Sequence, residues 1–190
     1  TPNTIRLGNG SGGMLLYGVN AAGKSSLMKA AAIAVITAQA GLYVAASKMA
    51  LCPFHKIFSR LTKNDNLFKG KSSFAVEMSE IRDILFRADD NSIVFGDELC
   101  SGTESASALS IVAASISMLH KKNTPFVFAT HLHELPKISE IKQLSPKLNI
   151  YHLAVEYDEA TGELLYHRTL EEGAGTSMYG IEVCRAMDMP

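Results

Sequence analysis

The sequence lacks a charge imbalance and has few cysteines. Its 18 lysines and arginines nearly cancel its 19 aspartates and glutamates, which leaves a net charge of −1. Because nucleic-acid-binding domains usually carry a basic surplus, this segment alone is not predicted to bind DNA. The three cysteines, Cys52, Cys100 and Cys184, do not have the spacing of metal ligands. Their scarcity argues against a zinc site and points to a reducing, intracellular compartment.

Membrane-spanning and repetitive segments are also missing. The most apolar stretch, residues 30–46, is interrupted by Gln39 and broken by Gly41. It is also shorter than the roughly 20 residues that a spanning helix needs. No signal sequence, internal repeat or heptad run is visible, so residues 1–190 predict a single domain with no membrane partner. Because the chain begins at Thr1 and stops at Pro190 directly after a helical pattern, we expect a piece of a longer protein.

Strand and helix patterns alternate along the chain, which predicts βαβ units around a mainly parallel sheet. Strands are predicted at 14–17, 42–44, 55–60, 92–95 and 125–129, and helices at 24–38, 73–87, 104–119 and from His133 onward. Two alternating runs, 151–157 and 163–170, are joined by turn residues and predict a β-hairpin. A closing helix is predicted over 177–187. The fold class is therefore α/β, with a sheet flanked by helices and a C-terminal hairpin.

The strongest motif is the phosphate-binding pattern G-x-x-x-x-G-K-[ST] at residues 18–25. A predicted strand precedes it and a predicted helix follows it, which is the context that the motif requires. Backbone N–H groups of such a loop bind phosphate, Lys24 would reach the β- and γ-phosphates, and Ser25 would hold Mg²⁺. A chance glycine-rich turn is the alternative, and the agreement between motif and flanks disfavours it. The predicted nucleotide-binding residues are Gly18, Asn20, Ala21, Ala22, Gly23, Lys24, Ser25 and Ser26.

A pair of carboxylates, Asp97 and Glu98, follows the apolar strand at 92–95. The C-terminal end of a strand is the ligand-binding edge of a parallel sheet. Asp97 is therefore predicted to bind a magnesium ion directly or through a ligand of that ion, and Glu98 to orient or deprotonate an attacking water. A solvated Asp-Glu pair is the common alternative, but the phosphate motif upstream favours the functional interpretation.

Two further candidates depend on weaker signals. His131 follows the strand at 125–129 and is predicted to contact a γ-phosphate, with a partly buried structural histidine as the alternative. The chain order of phosphate motif, Asp-Glu and strand-end histidine is shared with the ABC-type branch of phosphate-loop ATPases. His133 is predicted to be a helix-start or surface residue. Ser72 or Ser73 either caps the following helix or offers its N-terminus to a γ-phosphate bound by an opposite subunit.

Several sequence blocks, in order, resemble the C-terminal ATPase domain of the MutS family of DNA mismatch-repair proteins. The family loop G-P-N-M-G-G-K-S is similar to residues 18–25, and S-T-F-x-x-E-M is matched by residues 72–78. D-E-L-G-R-G-T is matched by residues 97–103, and A-T-H-Y-H-E-L by residues 129–135. The family ending S-Y-G-I-x-V-A-x-x-A-G-L-P is echoed by residues 178–190. The resemblance spans nearly the whole chain.

The resemblance implies hydrolysis of ATP with Mg²⁺ in composite sites at an interface between two subunits, identical or different. One subunit would supply the loop at 18–25 with Asp97, Glu98 and His131. Its partner would supply Ser72 and the loop around Gly102 and Thr103. DNA would be held by domains absent from this chain, and ATP would drive its clamping.

The departures from the family pattern are also informative. Val19, Ala21 and Ala22 replace the family's Pro, Met and Gly. Cys100 and Ser101 replace Gly-Arg, as in a divergent branch from large DNA viruses and some mitochondria. The family's adenine-stacking aromatic lies just before a Pro-Asn pair like residues 2–3, and the family's second adenine contact would fall on His167 or Arg168.

Two alternatives to a mismatch-repair ATPase remain. The first is a nucleotide-gated dimerisation module with little turnover of its own. The second is the ATPase head of another ABC-type DNA-maintenance protein, which the absence of a coiled-coil pattern disfavours. An ABC transporter is disfavoured because no L-S-G-G-Q is present.

Overall fold

A six-stranded, mostly parallel sheet organises the described residues, which are 1–8, 12–19, 21–61, 73–144, 147–158, 161 and 163–175 of the computed structural model. Its strands are β1 (Gly13–Tyr17), β2 (Lys56–Arg60), β3 (Ser92–Asp97), β4 (Phe126–Ala129), β5 (Leu148–Asp158) and β6 (Glu163–Glu172). The order across the sheet is β2-β3-β4-β1-β5-β6, and β6 runs antiparallel to β5. The helices are α1 (Lys24–Gln39), α2 (Ser73–Arg87), α3 (Ser105–Lys121) and α4 (Ser139–Lys142), with a 3₁₀ helix at Leu135–Lys137.

Helices cover both faces of the sheet, which explains why its central strands are apolar throughout. Successive side chains of a strand point to opposite faces. Leu16 of β1 packs in a cluster with Met28 of α1 on one face. Leu15 packs in a second cluster with Ile116 of α3 on the other face, where α2 and α4 also contribute. Strands buried on both faces need apolar residues at every position, and β1 is buried along its whole length.

The predicted α/β class and nearly all predicted elements are confirmed, with ends that differ by at most three residues. The helix predicted at 73–87 matches α2, and the predicted hairpin matches β5 and β6. The short helix expected from His133 begins two residues later, as the 3₁₀ turn at Leu135–Lys137.

The strand predicted at 42–44 is wrong. Leu42 and Tyr43 are 63% and 104% exposed, and no strand is assigned between α1 and β2. The backbone N–H of Leu42 donates instead to the carbonyl of Thr37 over 2.9 Å, which closes a turn at the end of α1. An apolar run becomes a strand only where a neighbouring strand and a packed surface receive it, and this segment has neither.

Three predictions lie outside the described residues: Asn20, Ser72 and the closing helix at 177–187. Within the described ranges, no helix combines the length and the hydropathy that crossing a membrane requires.

Candidate functional site

Three neighbouring strands end at one edge of the sheet and bring the predicted site residues together. Ala129 of β4 lies opposite Leu16 of β1 on one side and opposite Asp97 of β3 on the other. The pairing continues past the strand ends, because Glu98 N–H donates to the Ala129 carbonyl (2.9 Å) and Thr130 N–H to the Leu16 carbonyl (3.0 Å). The segments that follow β1, β3 and β4 therefore begin side by side, as expected for parallel strands.

Among its described residues, the loop between β1 and α1 has three with left-handed backbone. Their φ angles are +143° at Gly18, +69° at Ala21 and +105° at Gly23. Glycine adopts such angles without steric cost, whereas Ala21 does so under strain. Gly23 is also the N-cap of α1, and no side chain caps this helix start. The first N–H groups of α1 thus remain available to an anion, as in known phosphate sites.

Lys24 lies at the centre of this edge and is only 5% exposed. Its Nζ donates to the carbonyls of Gly18 (2.7 Å) and Val19 (3.2 Å), and it lies 3.9 Å from Oε1 of Glu98. Burial lowers the pKa of Lys24, while the charges of Glu98 and Asp97 oppose this by raising it. The buried ammonium thus has two carbonyls and two carboxylates to compensate for its lost hydration.

Asp97 carries a buried oxygen that the described residues leave without a hydrogen bond. This atom, Oδ1, is shielded from solvent and finds no donor. Leaving a buried acceptor unpaired is costly, so this oxygen is suited to accept a ligand. A divalent cation or its water would satisfy the oxygen. The described residues form no cluster of three or more His, Cys, Asp or Glu side chains, so such a cation would take other ligands from water or phosphate, as Mg²⁺ does.

Glu98 presents a carboxylate that is partly open to solvent. Its side chain is 27% exposed and faces Lys24 across the crevice. Its backbone is left-handed, with φ +46°. A carboxylate that reaches both the buried lysine and water suits a role in activating water.

His131 reaches the same edge but is exposed to solvent. It sits in a tight turn, in which His133 N–H donates to the His131 carbonyl (2.9 Å) and Leu132 N–H donates to Oγ1 of Thr130 (3.1 Å). Because His131 is exposed, it is not the partly buried structural histidine that was the alternative. Its position at the strand end agrees with the predicted contact to a phosphate.

Tyr17 supports this turn, and sequence reasoning did not identify it. Its hydroxyl donates to the Leu132 carbonyl over 3.2 Å, and its ring lies 5.1 Å from that of His133. Burial raises the pKa of Tyr17, and burial followed by the charge of His131 lowers the pKa of His133. His133 is therefore a half-buried packing residue before the 3₁₀ helix. A hydroxyl at the end of an aliphatic strand was the signal that could have identified Tyr17.

A buried carboxylate, Glu77, binds the loop that follows Glu98. Its Oε1 accepts a hydrogen bond from Cys100 N–H over 2.9 Å and lies 3.9 Å from Nη2 of Arg60. Burial, then the Glu77 charge, raises the pKa of the Cys100 thiol to about 11, against the opposing charge of Arg60. In the sequence, Glu77 stands out only as the glutamate of the motif at residues 72–78, with no role assigned to it. Its position four residues before the buried Ile81 on α2 was a signal that it faces inward.

The N-terminal segment is fixed to the C-terminal hairpin through Asn3. Its side chain donates to the Arg168 carbonyl (2.9 Å) and accepts from Leu170 N–H (2.8 Å). Arg168 has φ +58° in an irregular stretch of the β5–β6 pairing. His167 Nε2 lies 3.0 Å from Oε2 of Glu156. The Pro-Asn pair at residues 2–3 thus lies next to the hairpin residues that were predicted to contact an adenine.

Comparison with known proteins identifies the family. MutS domain V matches residues 14–190. The chain belongs to the MutS family. This confirms the resemblance found in the motifs and argues against the head of an unrelated DNA-maintenance protein.

The MutS relatives include viral, mitochondrial and bacterial proteins. The chain is 43% identical over 182 residues to a mutS homologue of Acanthamoeba polyphaga mimivirus, covering 94% of this chain and 16% of that protein. It is 44% identical over 171 residues to the mitochondrial DNA mismatch repair protein mutS homologue of Sarcophyton glaucum, covering 90% of this chain and 17% of that protein. It is 36% identical over 193 residues to the DNA mismatch repair protein MutS of Desulforapulum autotrophicum, covering 100% of this chain and 21% of that protein. The chain thus spans about a fifth or less of these relatives.

Replacing Tyr17 by Phe is expected to remove the hydrogen bond to the Leu132 carbonyl, at a cost of about 0.5–1.5 kcal/mol, because that carbonyl keeps its hydrogen bond from Leu135 N–H. Because burial raises the Tyr17 pKa, its neutral form stabilises the fold below the unfolded pKa of about 10. The advantage of the wild type over Tyr17→Phe should therefore be full below about pH 9 and shrink as the pH rises above about 10. Urea unfolding of both proteins across this range measures it. The exposed Tyr43→Phe is the control, and curves for Tyr17→Phe that stay parallel to the wild type would contradict the assignment.

Proposed function

We propose that this chain is a phosphate-loop ATPase domain of the ABC type, and that the protein carrying it acts in DNA mismatch repair. The observation that carries the proposal is the buried Lys24 ammonium, held by the loop carbonyls and facing Glu98 at 3.9 Å beside Asp97. Such an arrangement of a loop lysine and acidic strand-end residues is the one that phosphate-loop ATPases use on a triphosphate. The names of the relatives support the link to mismatch repair.

Binding of the triphosphate would exchange hydrogen bonds from Lys24 to neutral carbonyls for hydrogen bonds to charged phosphate oxygens. The ammonium would turn from the carbonyls of Gly18 and Val19 to the β- and γ-phosphates. The ammonium already makes charge-assisted hydrogen bonds to the carbonyls, and a phosphate would add the attraction of a full negative charge. The uncapped N–H groups at the start of α1 and the backbone of the loop at 18–25 would complete the phosphate cradle.

The donor set at this edge fits a magnesium ion. Asp97 Oδ1, which is buried without a hydrogen-bond donor among the described residues, and the Ser25 hydroxyl at the start of α1 would hold it. Mg²⁺ bound there would neutralise the charge on the β- and γ-phosphates.

Glu98 would orient and deprotonate the water that attacks the γ-phosphorus. Its carboxylate is open enough to meet water and close enough to Lys24 to stay beside the phosphates. The exposed His131 would contact the γ-phosphate, and Tyr17 with His133 would keep the turn that carries it in place. The nucleoside would extend toward the hairpin, where His167 or Arg168 would border the adenine beside Asn3.

A complete site would need a second subunit, identical or different. Its contribution would be Ser72 and the exposed loop around Gly102 and Thr103, in the manner of a group supplied in trans to a transferring phosphoryl. DNA would be bound by domains absent from this chain, which agrees with its net charge of −1.

Lys24→Ala is expected to weaken ATP binding by roughly 10–100-fold, because it removes charged hydrogen bonds of roughly 1.5–3 kcal/mol. Isothermal titration with a non-hydrolysable ATP analogue and Mg²⁺ measures the affinity. Lys29→Ala is the matched control, since Lys29 lies on the exposed side of the same helix. Equal affinities for the wild type and Lys24→Ala would refute the phosphate contact.

Glu98→Gln is expected to slow single-turnover hydrolysis by roughly 10²–10⁴-fold while ATP binding is retained, because the amide cannot accept a proton. Glu140→Gln, on the exposed side of α4, is the control. An unaltered hydrolysis rate in Glu98→Gln would remove Glu98 from the role of base.

Turnover per molecule in the wild type is expected to rise with protein concentration, because each site is completed by a partner. Phosphate release measured over a dilution series tests this, and Ser72→Ala should lower the plateau whereas Ser110→Ala, on the exposed face of α3, should not. Turnover independent of concentration would contradict the composite site. ATP binding without turnover at any concentration would instead favour the nucleotide-gated dimerisation module.

A further inference from the structure

We propose that Glu77 is a positioning residue that holds the loop after β3 in the shape that directs Glu98 into the site, an inference that rests on the proposed ATPase function. Glu77 lies on α2, whereas Glu98 follows β3. The link between them is the hydrogen bond from Cys100 N–H to Oε1 of Glu77, 2.9 Å long.

The loop needs a restraint because two of its residues have left-handed backbone. The φ angles are +46° at Glu98 and +62° at Cys100. Side chains with a Cβ disfavour this region, so such residues persist only where surrounding contacts hold them. The MutS pattern D-E-L-G-R-G-T has glycine at the position of Cys100, and glycine adopts a positive φ without strain. This chain lacks that freedom and therefore depends more on the contact to Glu77.

The backbone of the loop is held to β4 where it begins, by Glu98 N–H donating to the Ala129 carbonyl, and its other backbone hydrogen bonds are local and move with it. Ser101 N–H donates to the Glu98 carbonyl (3.2 Å), and Thr103 N–H to the Cys100 carbonyl (3.3 Å). The bond to Glu77, in contrast, attaches the loop to a helix 23 residues earlier in the chain.

Glu77 is itself held rigidly enough to act as an anchor. The residue is 8% exposed and lies 3.9 Å from Nη2 of Arg60, whose Nε lies 2.8 Å from Oε2 of Glu80. A buried carboxylate is tolerated when a cation and a hydrogen-bond donor accompany it, and Arg60 and Cys100 supply these.

The consequence for turnover follows from the order of the residues. Cys100 lies two residues after Glu98, so release of its N–H would let the Glu98 carboxylate move relative to Lys24. The described residues of the loop, 18–19 and 21–25, would keep their hydrogen bonds, because none of these involves Glu77. Loss of the Glu77 contact should therefore lower kcat and leave ATP affinity unchanged.

Steady-state kinetics of the full chain test this with Glu77→Ala and Glu77→Gln. We expect kcat to fall at least about tenfold in Glu77→Ala, as for a misplaced catalytic group, with KM and ATP affinity changed by less than about twofold. Glu77→Gln keeps an acceptor oxygen and should retain more activity. Glu80→Gln is the matched control, because Glu80 lies on the same helix beside the same arginine without binding Cys100. An equal loss in Glu80→Gln would overturn the proposal by making the charge around Arg60 responsible.

A second substitution isolates the backbone effect. Cys100→Gly removes the strain at φ +62°, so adding it to Glu77→Ala should restore a large part of kcat. A merely structural role for Glu77 does not predict this recovery, and its absence would overturn the proposal. Should Glu77→Ala fail to fold, Glu77→Gln with and without Cys100→Gly decides the same question.

Alkylation of Cys100 measures how well the loop is held in place, without depending on ATP turnover. Cys100 is fully buried, so iodoacetamide, followed by peptide mass spectrometry, should modify it several-fold faster in folded Glu77→Ala than in the wild type or Glu77→Gln. Glu77→Gln is the control here, because it also lacks the charge that raises the pKa of the thiol but keeps an acceptor for Cys100 N–H. Unchanged alkylation would show that Glu77 does not hold the loop. If Glu77→Ala turned over ATP as fast as the wild type, the role of Glu77 would be overturned while the proposed function stood. If the wild type did not turn over ATP at all, the proposed function itself would be overturned.

Discussion

The register of three parallel strands is the constraint on which the candidate site depends. Ala129 of β4 stands between Leu16 of β1 and Asp97 of β3, and the hydrogen-bond ladder continues into the segments beyond. A slip of one residue in any of these strands would move its end by about 3.3 Å and turn every side chain to the other face. The double-sided apolar core forbids such a slip, so the packing of the sheet also sets the distance between Lys24 and Glu98.

Several polar groups near this edge of the sheet are buried at a cost to stability, which is typical of a binding site and unusual in a hydrophobic core. Lys24 is buried among carbonyls and carboxylates, and Asp97 keeps an oxygen that no donor among the described residues satisfies. Glu98 and Cys100 hold strained backbone conformations. Buried charge and strain that persist in a native fold cluster at functional sites, because a ligand compensates for them or chemistry needs them. Their concentration around one crevice is what the proposed ATPase function explains.

The apolar periodicity of the sequence predicted most of the helices and strands correctly. It gave a wrong prediction where contacts with distant parts of the chain decide the structure. The apolar spacing on α2 predicted a helix at 73–87, which the structure confirms, because one face of that helix packs against the core. The apolar run at 42–44 predicted a strand that does not form, because no neighbouring strand receives it. The support that Tyr17 and Glu77 give to the site was missed for a related reason. Each acts through a backbone group distant in the chain, and no local pattern encodes such a contact.

The amino-acid sequence by itself determined the type of fold, the family and the identity of the chemical groups, since these depend on local spacing and on residue type. It placed a lysine after a glycine-rich turn, two carboxylates after a strand and a histidine after another. Only the tertiary structure decided which of these groups meet, because the order β3-β4-β1 follows from how the helices and strands pack and not from their order along the chain. It also decided that Oδ1 of Asp97 is buried, that Glu98 is partly open to solvent and that Cys100 is held by Glu77. Burial and long-range hydrogen bonds exist only once distant segments have come together.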